Sequence, residues 1–436
     1  MASQPQINSN VSPPWLWFWL GVFMVTSLPY YVAVWGRNLY ELLSGPASDT
    51  DWTIAIAYRI LGLVGLLELV PSLALVGGLL ALLRPQLRTA LLERRYKLRS
   101  VSSITSGMSE ILEFVERNAP GVEVKVNQLR FDQTPFMYPL GFRKTGIAIF
   151  GQFIRLWRAD RGMAKAVLLH ELAHYRHGDA LLIGAGSPFR TIIERWGKLY
   201  IWLFVVPFIL AFTAITLIFV LEVGQLMWLG VGGIDMLLQA ISHKIVQSIF
   251  MVIWAFVTSL GILLWTSSIF VVPMTAIWCS ELNADQAPAS RFPDEILNAL
   301  KSLPEKERGR QWLLHRLAHP PNELRQWMVK KSDKLLGKMC LLLLFPLSFL
   351  LQALLLRLLE FMASLQNIQI VPIDRVAGSQ VLSIILLITA LLLIAWPFVS
   401  SSWERLFCCK PKSVFLSPLP YWLSATILIG LGLVIR

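Results

Sequence analysis

The chain has 436 residues, of which 55% are hydrophobic and only 15% are charged. This composition excludes an ordinary soluble domain and predicts a polytopic membrane protein. The net charge of +12 does not indicate a nucleic-acid partner, because the basic residues are grouped in blocks between apolar runs.

Seven apolar runs approach or exceed the roughly 20 residues that a helix needs to cross the hydrocarbon core of a bilayer. They lie at 15–35, 60–83, 199–221, 246–274, 339–356, 380–399 and 415–435. The expected fold class is therefore a mainly α polytopic membrane protein with about seven transmembrane helices, and counts of six or eight fit the same pattern. Glu68, inside the second run, is expected to pair at a helix interface or to serve transport.

The positions of the basic residues predict the orientation of the chain. The segment 84–198 carries 19 of the 39 Lys and Arg residues and 277–338 carries 11, whereas 223–243 and 360–378 hold only Arg375 between them. By the positive-inside rule, the basic segments are cytoplasmic. The run LRPQLRTALLERRYKLRS after the second span is expected to form an amphipathic helix against anionic headgroups, so the lipid bilayer is one expected partner.

This topology predicts a membrane frame that carries two cytoplasmic segments. The expected division is a two-span anchor at 1–83, a cytoplasmic segment at 84–198, a transmembrane hairpin at 199–276, a second cytoplasmic segment at 277–338 and a three-span region at 339–436. In the first cytoplasmic segment, ITSGMSEILEFVERN has helical spacing of apolar residues, and GVEVKVNQLRF and KTGIAIFGQFIRL are typical of strands. We therefore expect a small cytoplasmic α+β domain there.

The stretch VLLHELAHYRHGDA, Val167 to Ala180, contains the pattern H-E-x-x-H. On a helix, His170 and His174 project from one face about one turn apart, which suits two ligands of a zinc ion. Glu171 between them is placed to accept a proton from the attacking water. The charged residues around the motif place it outside the middle of a membrane. The alternative is a helix that merely carries solvated histidines.

Zinc needs a third protein ligand. The candidates are His177, Asp179, His243, Glu281, His315 and His319. His177 lies about two turns beyond His170 and His243 falls in a predicted external loop, which disfavours both. Glu281 is favoured because the fourth apolar run returns it to the side of the histidines, although a solvated helix start would also explain it. Asp285, one turn later, and Asp179 could orient the ligand histidines.

Three motifs resemble those of the HtpX and CaaX-prenyl-protease family of integral-membrane zinc metallopeptidases. They are HELAH followed by Gly178-Asp179, ELNAD from Glu281, and HPPNELR from His319 to Arg325. The resemblance covers roughly residues 60–330. It implies one catalytic Zn²⁺ held by His170, His174 and Glu281, with Glu171 as the general base. It also implies that His319 and Arg325 stabilise the oxyanion or position substrate and carboxylates; a plain turn before two prolines is the alternative for His319.

The activity implied by this resemblance is zinc-dependent cleavage of membrane or misfolded polypeptides at the cytoplasmic face of a bacterial inner membrane, in protein quality control. The substrate would add a strand beside Gly146, Ile147, Ala148 and Ile149. Two features depart from the family pattern: FMYPLGF stands where an asparagine-containing segment is expected, and the C-terminal spans exceed the HtpX plan. The order of spans disfavours prenyl-CaaX processing.

Other interpretations predict different chemistry. A BlaR-type signalling metalloprotease also carries H-E-x-x-H followed by a basic residue and Asp. The two spans predicted between His174 and Glu281 and the lack of an external sensor domain count against this interpretation. An intramembrane site-two-type protease would need the motif inside a span. A non-catalytic scaffold or transporter with a peptidase-like fold would not require the intact Glu171.

Overall fold

A computed structural model of the chain describes residues 11–26, 69–101, 106–192, 234–302, 319–365, 375–407 and 416–435, with isolated positions between 33 and 228. Its helices, numbered in chain order, are α1 Trp15–Thr26, α2 Leu69–Leu83, α3 Pro85–Tyr96, α4 Ser106–Asn118, α5 Gly151–Ala159, α6 Arg161–His177, α7 Asp179–Leu182, α8 Ile234–Ala289, α9 Pro293–Ser302, α10 Asn322–Lys330, α11 Leu335–Leu365, α12 Arg375–Phe407 and α13 Leu419–Ile435. Its strands are β1 Arg99–Ser100, β2 Glu123–Asn127, β3 Phe136–Pro139 and β4 Thr145–Phe150. Glu68, His315 and most of the predicted span 199–221 lie outside the described residues.

The predicted architecture of about seven transmembrane helices is wrong. Over the described ranges, two helices are long and apolar enough to cross a membrane, namely Leu335–Phe361 with 27 residues and Ser379–Phe407 with 29. The apolar helix α13 has 17 residues, which is short of the roughly 20 that a crossing needs. Apolar content alone overstated the number of spans, because it does not show whether lipid or protein covers a residue.

The predicted fourth span is part of a much longer helix. The run 246–274 lies inside α8, which has 56 residues and is therefore roughly 84 Å long at 1.5 Å per residue. The helix continues without interruption through the predicted domain boundary at 276 and carries Glu281 near its C-terminal end. The remaining domain boundaries stay predictions.

The four strands form one sheet in the order β1-β2-β4-β3. β4 runs parallel to β2 and antiparallel to β3, and Ile147 lies opposite Val124 on one side and Met137 on the other. Every residue of β4 is buried. An apolar run of this kind is typical of an interior strand, which is covered on both faces and paired along both edges.

The position of β4 overturns one predicted role. A substrate strand can pair only with a free sheet edge, and the backbone of β4 is already paired on both sides. The predicted substrate-binding roles of Gly146, Ile147 and Ala148 are therefore wrong, because these residues pair with both neighbouring strands. The role of Ile149, which lies beyond the pairing with β3, stays a prediction. All four residues are buried in the core that supports the site.

Helix α6 lies between the sheet and helix α8. On one side, Leu168 and Leu172 pack into the core formed by the sheet with α4 and α5. On the other side, Leu169 and Ala173 contact Ala284 and Ala287 of α8. Small side chains allow two helix backbones to approach closely, and this places the end of α8 directly against the helix that carries H-E-x-x-H.

Both ends of α6 are fixed by specific contacts. At the N-terminus the Asp160 side chain accepts a hydrogen bond from the Met163 backbone at 2.9 Å. At the C-terminus Gly178 adopts a left-handed conformation with φ of 77° and its amide donates to the last carbonyls of the helix. A Cβ at this position would lie 2.7 Å from the ring of Phe407, so both the backbone and the packing require glycine there.

Replacing Gly178 by alanine should lower the melting temperature of the protein. The left-handed backbone alone costs roughly 1–2 kcal/mol for a non-glycine residue, and the clash with Phe407 adds to that. Gly107→Ala is the matched control, because a Cβ there meets only Arg158 Nε at 3.8 Å. Thermal unfolding in detergent measures both variants, and equal melting temperatures would contradict the assigned role of Gly178.

Candidate metal centre

The structure brings His170, His174 and Glu281 together. One ligand atom from each lies within 4.8 Å of the other two. The two imidazole rings are 5.1 Å apart between centroids and nearly perpendicular, and Nε2 of His170 lies 3.6 Å from Oε2 of Glu281. Two imidazoles and one carboxylate form a donor set that catalytic zinc sites use, with the fourth position left for water or substrate.

The second ring nitrogen of His170 is held by α8 itself. Nδ1 of His170 lies 2.9 Å from Oδ1 of Asp285. Asp285 is fully buried and also receives two hydrogen bonds from Arg325, at 2.8 Å from Nε and 2.7 Å from NH2. A carboxylate on Nδ1 orients the imidazole and leaves Nε2 for a metal. Arg325 therefore holds Asp285 in place.

The second ring nitrogen of His174 faces another buried group of side chains. Nδ1 of His174 lies 3.4 Å from the Ser280 hydroxyl and 3.8 Å from Oδ2 of Asp179. The Ser280 hydroxyl donates to that same oxygen of Asp179. Asp179 thus has the position expected of a residue that orients a ligand histidine, and Ser280 lies between the two.

His177 belongs to the supporting contacts and not to the ligand group. Its Nδ1 lies 3.5 Å from Oδ2 of Asp179, and its Nε2 lies 3.0 Å from the Ser12 carbonyl oxygen. Both ring nitrogens therefore face protein oxygens. Burial lowers the pKa of His177, which keeps the ring neutral in spite of the opposing effect of Asp179.

His319 lies at the edge of the site. Its Nδ1 is 3.7 Å from Oε1 of Glu281, and Arg190 donates to its Nε2 at 2.8 Å. Because a guanidinium can only donate, Nε2 must be the acceptor and the neutral ring carries its proton on Nδ1. In that tautomer the Nδ1–H group of His319 points toward Oε1 of Glu281. The oxyanion role implied for His319 stays a prediction.

Glu171 follows His170 directly in α6 and is half-buried. Burial lowers the pKa of Arg325, but the carboxylates of Asp285, Glu281 and Glu171 outweigh that effect and raise it. Three carboxylates thus interact electrostatically with the buried guanidinium of Arg325. The excess of negative charge favours a bound cation among them.

A scan against protein-family models, a comparison with curated proteins and a comparison with solved structures found no match to this chain. The chemistry of the site therefore rests on its own geometry.

The neighbouring carboxylates control the protonation of the ligand group. Burial lowers the pKa of His170, but the Asp285 and Glu281 carboxylates outweigh it and raise the pKa to about 10. Burial raises the pKa of Glu281, whereas His319 and His170 bring it well below the usual value of a glutamate. The anionic Glu281 and the basic His170 are both states that a divalent cation can stabilise, once the cation replaces the ring proton.

Several supporting residues were missed by sequence reasoning. Ser280, Arg190 and Ser12 belong to no metal motif, and no role was predicted for Asn283 inside ELNAD. The amide of Ser12 donates to the Asn283 side chain at 3.0 Å across 271 positions of the chain. Ser280 and Asn283 carried a usable signal, because both lie within two residues of Glu281 in the same helix. Ser12 and Arg190 are brought near the site by tertiary packing.

Replacing Ser280 by alanine should weaken zinc binding by about 10- to 100-fold, the usual effect of losing a group that orients a ligand. The change removes the hydroxyl between His174 and Asp179 without touching a ligand atom. Ser290→Ala is the matched control, because Ser290 is exposed and donates to the Ala287 carbonyl. Competition with a chromophoric chelator measures both affinities, and equal values for the two variants would contradict the role of Ser280.

Zinc affinity should increase with pH. Because the pKa of His170 is raised to about 10, the ring is protonated between pH 6 and 8 before a cation binds. Binding must displace that proton, so the dissociation constant should fall by about tenfold per pH unit in this range. Calorimetry in buffers of different ionisation enthalpy should show about one proton released per zinc from this ring. Binding that neither depends on pH nor releases protons would contradict this expectation.

Proposed function

We propose that this chain is a membrane-associated zinc metalloendopeptidase that hydrolyses peptide bonds of membrane or unfolded proteins. The convergence of His170, His174 and Glu281 beside Glu171 carries the proposal. Glu281 and Asp285 are 5% and 0% exposed, and burying two carboxylates one turn apart is costly unless positive charge compensates them. Arg325 and the proton on His170 provide positive charge beside them, and a zinc ion on the three ligand atoms would replace that proton. A helix with solvated histidines would need neither buried carboxylate.

Each residue then has a defined task. When bound, zinc would supply a Lewis acid and make a neighbouring water more acidic. Glu171 accepts the proton of the attacking water and passes it to the leaving amine. Asp285 and Asp179 hold the two histidines in the tautomer that leaves Nε2 for the metal. Arg325 keeps Asp285 ionised and in place.

The membrane association is supported by the outward faces of α11 and α12. Exposed apolar side chains recur there at helical spacing, at Leu351, Leu354 and Leu358 in one helix and at Val381, Ile384, Ile388 and Leu391 in the other. Stripes of this length on a water-facing surface would favour aggregation. Covering by lipid tails removes that cost, and both helices are long enough to cross a bilayer.

The proposed site lies beside the end of one of these helices. The indole of Trp403 in α12 donates to the His177 carbonyl at 3.1 Å, and the ring of Phe407 packs against Gly178. The C-terminal end of the H-E-x-x-H helix therefore contacts the end of a candidate span. Together with the concentration of Lys and Arg in 84–198 and 277–338, this supports a site at the cytoplasmic face of a bacterial inner membrane.

Glu171→Gln should lose peptidase activity and keep its zinc. Removing the general base should lower the turnover number by about 10²- to 10⁴-fold, whereas Glu281→Gln should lose the metal as well. Glu113→Gln is the control, because Glu113 is exposed and pairs along its own helix with Arg117. Cleavage of a fluorescently labelled unfolded casein and zinc content by mass spectrometry measure the three variants. Wild-type activity in Glu171→Gln would refute the proposed mechanism.

A further inference from the structure

Helix α3, at Pro85–Tyr96, buries an arginine and exposes two leucines. Its buried residues are Pro85, Arg88 and Leu92, whereas Leu87 and Leu91 are 57% and 69% exposed. A soluble amphipathic helix buries its leucines and exposes its arginines. The outward face of α3 is therefore adapted to surroundings other than water.

Arg88 fixes which face of α3 points outward. Its guanidinium donates to the carbonyls of Ala185 and Leu181, both at 2.7 Å, to that of Ala180 at 3.2 Å, and to that of Gly184. These carbonyls belong to the segment that directly follows the H-E-x-x-H helix. These four hydrogen bonds fix the rotation of α3 about its axis, so that Leu87 and Leu91 stay on its outer face.

Exposed leucines also lie at the end of α2, directly before α3 in the chain. Leu80 and Leu83 are 54% and 69% exposed and share a face of α2, as Leu87 and Leu91 share a face of α3; the two helices are separated by Arg84, whose backbone is not helical. Three exposed arginines accompany these leucines, at positions Arg84, Arg94 and Arg95. The single acidic residue of α3, Glu93, accepts a hydrogen bond from the Tyr138 hydroxyl at 3.2 Å.

We propose that Leu80, Leu83, Leu87 and Leu91 form a docking face that enters the headgroup layer of an anionic bilayer. Arg84, Arg94 and Arg95 would then bind lipid phosphates at its margin. Leucines flanked by arginines, with no free carboxylate among them, match a bilayer surface in both polarity and charge. This inference rests on the membrane association proposed above and adds to it the surface that orients the site.

The docking face is joined to the metal centre through the inner side of α3. Arg88 binds the segment 180–185, and the Thr89 hydroxyl donates to the Pro139 carbonyl at the end of β3. The segment 180–185 follows Asp179, which faces His174. A bilayer that holds the outer face of α3 therefore sets the height and tilt of the site relative to the membrane.

Hydroxyl-radical footprinting of the protein in lipid nanodiscs tests the docking face with internal references. Leu354 and Leu391, 65% and 64% exposed on α11 and α12, report side chains covered by lipid tails. Leu129 and Phe142, 91% and 57% exposed around the sheet, report side chains in water. In nanodiscs that contain phosphatidylglycerol, Leu87 and Leu91 should be oxidised as little as the first pair. In neutral phosphatidylcholine nanodiscs their oxidation should rise by about threefold or more, as the arginines lose their partners.

The outcomes separate this inference from the proposed function. Oxidation of Leu87 and Leu91 at the rate of Leu129, while Leu354 stays protected, would overturn the docking face and leave membrane association intact. Oxidation of Leu354 and Leu391 at the rate of Leu129 would overturn membrane association, and the docking face would be overturned with it. Protection in detergent that grows with protein concentration would mean that a second copy covers the face, which also overturns the lipid assignment. The inactive Glu171→Gln protein gives the same footprint, so the result does not depend on peptidase activity.

Discussion

The close packing of α6 against α8 is the constraint on which the rest of the structure depends. Small residues at Ala173, Ala284 and Ala287 let the helices approach, and the approach buries carboxylates between them. The carboxylates of Glu281 and Asp285 would repel each other without positive charge nearby. The buried guanidinium of Arg325 and the imidazoles provide such charge. A cation bound between the two helices would complete the compensation. The same contacts that stabilise the interface therefore form the proposed metal site.

Segments far apart in the chain hold this interface from outside. Ser12, before helix α1, contacts both Asn283 of α8 and His177 of α6, and Trp403 of α12 donates to the last carbonyl of α6. On the opposite side, Arg88 secures the segment after α6. The candidate metal centre is therefore linked to the apolar helices and to α3. In the proposed membrane-associated protein, a change in how these helices meet a bilayer would alter the placement of the ligands.

Particular residues show how far sequence reasoning reached. The four-residue spacing of His170 and His174 is a local property of a helix, so it predicted their shared face without any knowledge of the fold. The run KTGIAIFGQFIRL was predicted to be a strand; its first part forms β4, whereas GQFIRL begins helix α5. The assignment of a substrate edge to it failed, because strand order depends on which distant segments pair with it. The prediction of about seven spans failed for a related reason. Residues such as Trp15 and Leu16, 1% exposed, avoid water inside protein, and composition cannot distinguish that from lipid.

The sequence by itself determined the chemistry that the chain can offer: two imidazoles one turn apart with a carboxylate between them, and a pair of carboxylates at Glu281 and Asp285 with the spacing of one helical turn. These are local properties, set by the 3.6-residue period of the helix. Only the tertiary structure decided which oxygen each histidine nitrogen faces, that Ser280 and Arg190 join the site, and that the leucines of α3 point outward while Arg88 is buried. Those choices depend on contacts between residues up to 271 positions apart, and packing selects them by minimising unpaired buried polar groups.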